Sequence, residues 1–148
     1  MSNKPVIADE PTPGLSFKEK SLWVTAASIL AIYGYYFWRA VELGDGHPGE
    51  LGVLFAGVVI VMIIVQAVVH AALAIHQRPE RTDERDRQVA QKAARNAYYV
   101  LVSGVWGALG VAALSLGTFW CAHAALLAIV IAELVHCGSQ LVYYRRGA

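Results

Sequence analysis

Charge is scarce in this sequence: Asp, Glu, Lys and Arg together make up 16% of 148 residues, against 57% hydrophobic residues. A chain this apolar cannot cover itself with polar surface, which excludes an ordinary soluble domain and leaves the membrane class. Cysteine is nearly absent as well. Cys121 and Cys137 lie on one apolar segment, about 24 Å apart at the helical rise per residue. They cannot bridge each other within one helix. A disulfide framework is therefore excluded, and no CxxC motif offers metal or redox chemistry. No serine-hydrolase or nucleotide-binding motif is present, so a non-enzymatic protein without catalytic residues is expected, and no nucleic-acid partner. The short apolar core and cleavage site of a signal peptide are also missing. The first apolar stretch is a full span flanked by Trp23 and Trp38 and reads as a retained helix.

What the sequence has is long apolar runs, and these predict an all-α, membrane-embedded four-helix bundle. Residues 1–15 carry Pro5, Pro11, Pro13 and Gly14 among acidic residues and read as a flexible cytoplasmic tail. Residues 16–148 form the single transmembrane domain. Ser16 and Glu19 make a capping box that starts the first helix, which closes on Tyr33, Tyr35, Tyr36, Phe37 and Trp38, an interfacial aromatic belt. Gly44 to Gly49 form a short loop. Spans are expected at about 21–42, 51–77, 97–116 and 119–143. Pro79 ends the second helix, and Thr82 or Asp83 caps a third whose first turns, 83–96, extend into the cytoplasm. Gly117-Thr118 makes a very tight turn into the fourth helix.

The charges orient these spans. Of the 12 Lys and Arg residues, only Arg39 falls on the outer side of an even four-span arrangement. Lys and Arg are retained on the cytoplasmic side, so both ends of the chain are expected inside, in a bacterial cytoplasmic (inner) membrane.

Polar side chains within the spans are the informative ones, because each is costly in lipid unless it faces protein, water or a partner. Gln66 and His70 share a face of the second helix, and Glu133, His136 and Gln140 share a face of the fourth. Counted from the cytoplasmic ends, His70, His136, Ser103 and Ser28 lie at a depth of about 10 Å, and Gln66 and Glu133 at about 15 Å. Every helix can therefore place a polar group in one buried layer of the inner half. Glu133 is the only carboxylate inside a span. An ionised carboxylate there is expensive unless paired, so proton exchange with His136 is physically available, as is a neutral Glu bonded to a neighbouring helix.

Two further chemistries fit these residues. Glu133-x-x-His136 matches the local pattern of di-iron bundles, although the second such motif and the other carboxylates are missing. His70 and His136 at equal depth also suit a haem held by two imidazoles, or a metal with Glu133 as a further ligand. His123, nearer the outer surface, can extend such a path. Small residues on the third helix (Ser103, Gly104, Gly107, Ala108, Gly110) and the fourth (Ala124, Ala128, Ala132) predict packing faces, within one subunit or between copies. The mixed charges of Asp83, Glu84, Arg85, Arg87 and Arg95 fit either a solvated face with local ion pairs or a docking surface for a partner protein or anionic lipid.

The segment Thr82-Asp83-Glu84-Arg85-Asp86-Arg87-Gln88-Val89, followed by Lys92-Ala93-Ala94-Arg95-Asn96-Ala97-Tyr98, resembles a family of small four-span prokaryotic membrane proteins of unknown function with a D-E-R motif before the third span. The ending Tyr143-Tyr144-Arg145-Arg146-Gly147 is similar too. The resemblance implies topology and little chemistry, and assigns no role to His70, Glu133 or His136. Three functional readings stand at this point: a homo-oligomeric bundle whose polar layer moves protons, ions or a small solute; a membrane-anchored regulator that binds a cytosolic or membrane partner through residues 83–95; and a haem or metal redox protein.

Overall fold

A computed structural model describes residues 17–76 and 84–146, apart from the side chains of Phe17, Lys18, His70, Leu73, Ala74 and His76. The expected tail, the Ser16 cap, the end of the second helix at Pro79, and Asp83 lie outside the described residues. Four helices form: α1 (Phe17–Leu43), α2 (Pro48–His76), α3 (Glu84–Ala113) and α4 (Thr118–Arg146). Three of them are long and apolar enough to cross a membrane, over Pro48–Val69, Glu84–Ala113 and Thr118–Arg146. The tyrosines, tryptophans and serines within the apolar run of α1 lower its hydropathy.

The helix ends follow from backbone chemistry. Gly44 stops α1 with φ 63°, a left-handed conformation that costs a residue without Cβ nothing, and its N–H reaches the Ala40 carbonyl at 3.0 Å. Pro48 opens α2 at the first helical position, where no backbone donor is needed. The turn between α3 and α4 is longer than expected. Helix α3 stops at Ala113, three residues before Leu116, because the reversal places Ser115 at φ 55° and Gly117 at φ 98°. The apolar Leu114 and Leu116 on either side of Ser115 disguise that turn as a continuing helix.

The helices pack as an open row, in the order α2, α1, α4, α3, and not as a closed bundle. Helix α1 touches α2 and α4, and α3 touches α4; among the described residues α2 contacts neither α3 nor α4. The four expected helices are present, with α2 and α3 at the two edges of the row. Apolar residues are spread around α2, with Val53, Ile60, Ile63, Ile64 and Val68 all exposed, so no apolar stripe directs a second face toward protein.

The α3–α4 contact is the tightest. Val89 and Ala93 are fully buried on it, and farther along Gly104 lies against Ala128. A Cβ added to Gly104 would collide with the Ala128 Cβ and stand 3.2 Å from its Cα, so only glycine lets the backbones come this close. Asn96 ties the other end of the seam, donating to Tyr143 Oη at 3.0 Å and to Ser139 Oγ at 3.3 Å. Of the predicted packing residues, Gly104, Ala108, Ala128 and Ala132 belong to this hairpin's interior, whereas Gly107 and Gly110 face open space.

Candidate functional site

The polar residues of α2 and α4 converge with α1 on one cleft. It has a volume of about 580 Å³ and is lined by Tyr33 from α1, Gln66 from α2, and Glu133, His136, Cys137 and Gln140 from α4. The i, i+3, i+4 and i+7 spacing on α4 is what puts its four residues on one face. Ser21 and Thr25, on the same face of α1 as Tyr33, extend the polar lining. Within the cleft the Gln140 amide donates to His136 Nε2 at 2.8 Å, which leaves the ring's proton on Nδ1 when His136 is neutral.

Two expectations about this layer are corrected. First, it is not buried: among the described residues no polar or charged side chain is, and Glu133 is exposed. The cause is the row arrangement, since α2 contacts α1 alone and the space between α2 and α4 stays open. Second, not every helix contributes. Ser103 is on α3, is exposed, and donates back to the Tyr99 carbonyl at 2.9 Å; Ser28 donates likewise to Val24 at 2.8 Å. Both hydroxyls satisfy themselves on their own helix.

The His70 side chain lies outside the described set, so its pairing with His136 as a haem or metal ligand pair is not defined. Among the described residues no three of His, Cys, Asp and Glu gather into a group able to hold a metal. Cys121 and Cys137 are both free thiols. The docking candidates Glu84, Arg85, Arg87 and Arg95 are exposed on α3.

The opposite end of the same three helices is closed, and there the sequence reading missed the organising contact. Tyr36, only 3% exposed, stacks on His123 with ring planes 13° apart, and Phe119 lies 4.1 Å from the imidazole centroid. The Phe119 carbonyl can only accept, so His123 Nδ1–H donates to it at 2.7 Å. Nε2 is thereby the acceptor for the Tyr36 hydroxyl at 3.1 Å. Ala40, Leu51 and Val58 complete this core. Its signal in the sequence was the α1 register Ile29, Tyr33, Tyr36, Ala40, which runs along one helical face.

Long apolar helices, an apolar outer surface and a cleft lined by intramembrane polar groups define a helical, multi-pass membrane protein. The chain belongs to the family described as "Predicted membrane protein (DUF2178)", whose model matches residues 18–148. Neither a curated protein nor a solved structure shows significant similarity to it.

Proposed function

We propose that the protein is a four-span protein of the bacterial cytoplasmic membrane, with both ends inside, and that its α1–α2–α4 cleft binds and passes protons, small cations or a small polar solute. The fourth span is supported by the packing of α1. It runs along α4, with Ser21 and Gln140 both lining the cleft and Tyr36 against His123 at the other end. A helix so placed shares the depth of α4. The distribution of Lys and Arg supports the orientation.

One observation carries the transport reading: the carboxylate of Glu133, placed within a span, opens into a cleft that also holds Gln66, His136 and Gln140. A carboxylate at that depth is tolerated where water or a cation reaches it, and the two amides and the imidazole supply neutral ligating groups. An open row of helices also favours assembly with further copies, which would enclose the cleft. In proteoliposomes under a pH gradient, the parent protein is expected to support flux that Glu133→Gln abolishes. Equal flux in the two, or none in the parent, overturns the reading.

A second reading rests on the α3 extension. Its Val89–Ala93 face is buried on α4 while Glu84, Arg85, Arg87 and Arg95 point outward, a rigid charged ridge suited to a partner protein at the membrane surface. Charge reversal at Arg85 and Arg87 should release a co-purifying protein; recovery of the chain from native membranes without a stable partner counts against it.

A further inference from the structure

A second cavity lies between α1 and α2, on a face the polar cleft does not use. Ala31, Tyr35, Val53, Gly57 and Val61 line an apolar groove of about 540 Å³. Tyr35, Val53 and Leu54 of this region also line a recess of about 380 Å³ whose rim carries Arg39, Gly49 and Glu50. The shared residues set the two side by side as one open surface channel, apolar along the groove and charged at the recess, its mouth.

Its dimensions match one membrane leaflet. From Gly49 at the mouth to Val61 at the far end is about 18 Å along α2 at the helical rise per residue, against about 15 Å for half of a hydrocarbon core. Tyr35 lines both groove and recess and forms an edge-to-face pair with Trp38 at 6.2 Å, aromatic residues of the kind that make an interfacial belt. The mouth carries both signs of charge. Arg39 pairs through Nη1 with Glu42, and a guanidinium has further N–H donors to offer an anion; Glu50 adds a carboxylate at the same level.

We propose that this channel binds one zwitterionic phospholipid bearing a primary amine, of the phosphatidylethanolamine class. One acyl chain lies in the Tyr35–Val61 groove, the phosphate accepts from Arg39, and the ammonium donates to Glu50. The site rests on the reading of α1 and α2 as spans but needs nothing of the transport reading, whose flux assay is a separate measurement.

The test uses the full chain in nanodiscs of equal parts phosphatidylethanolamine, phosphatidylcholine and phosphatidylglycerol, released into mild detergent and weighed by native mass spectrometry. The expected result is one retained phosphatidylethanolamine per chain, enriched over both other lipids. A Cβ at Gly57 meets nothing within 4 Å, so Gly57→Leu fills the groove without displacing backbone. Retention should fall about tenfold, the equivalent of about two lost methylene contacts. Arg39→Gln should weaken retention by up to about fivefold, as befits a rim charge. Enrichment of phosphatidylglycerol, no enrichment at all, or Gly57→Leu retaining lipid as the parent does would overturn the site. Should Gly57→Leu fail to fold by circular dichroism, the headgroup selectivity and Arg39→Gln still decide it. Labelling of introduced cysteines at the ends of α1 from each side of the membrane tests the span reading independently.

Discussion

The α3–α4 hairpin closes through glycine, alanine and an asparagine, whereas the α1–α2 hairpin meets through Tyr36, Phe55 and β-branched residues and leaves cavities on both faces. The helices themselves differ little, with 30 and 29 residues in one pair and 27 and 29 in the other. Side-chain size at the contact makes the difference. Small residues let backbones approach until dispersion and hydrogen bonds fill the seam; bulky ones hold the helices apart and leave space that lipid, water or solute must fill. In the proposed function the α3–α4 seam is scaffold, and binding falls to the open spaces on the two faces of α1.

The largest expected effect tests that contrast at two glycines. Gly104→Leu forces a side chain into Ala128 and should destabilise the protein by about 1–3 kcal/mol, the usual cost of overpacking. Gly57→Leu enters open space and should change stability by less than about 0.5 kcal/mol. Thermal unfolding in one detergent, followed by circular dichroism, measures both. Equal losses would mean that the α1–α2 groove is as filled as the α3–α4 seam, and the comparison would fail.

A smaller effect is expected from the hydrogen bonds that cross the seam of the tight hairpin. Asn96→Ala removes the donor to Tyr143 and Ser139, a loss of about 0.5–1.5 kcal/mol for bonds of this kind. Gln66→Ala, on the open cleft, should leave stability near the parent's while altering flux. If Gln66→Ala proves the more destabilising, the cleft is a structural network and not an open site.

How much of this was legible beforehand depended on whether a residue's role was local. Gly44, Pro48 and Gly117 act on their own backbone, and the helix ends next to them were read to within a few residues, the exception being Ser115, whose left-handed backbone no residue type announced. The face shared by Glu133, His136 and Gln140 was a matter of helical period. The row order was not legible, because apart from Gln66 and His70 the apolar residues of α2 are spread around the helix and mark no preferred neighbour. For the same reason depth alone suggested a layer drawn from all four helices, when Ser103 in fact bonds its own chain. Asn96 and the Tyr36–His123 pair went unnoticed because their partners are 47 and 87 residues away.

The smallest effect concerns the end of the tight hairpin where α3 begins and α4 finishes. The Tyr144 hydroxyl of α4 donates a hydrogen bond to the Asp86 carboxylate of α3. Tyr144→Phe removes that donor and should cost at most about 0.5–1 kcal/mol, because the position is partly open and solvent screens the charge. Asp86→Asn keeps an acceptor and should cost less still. Thermal unfolding of both variants beside Asn96→Ala ranks the two ties, and a larger loss from Tyr144→Phe than from Asn96→Ala would move the main tie of the seam to its end. In the loose hairpin the ion pair of Arg39 with Glu42 joins two residues of α1, so Glu42→Gln should leave the stability of the α1–α2 contact unchanged.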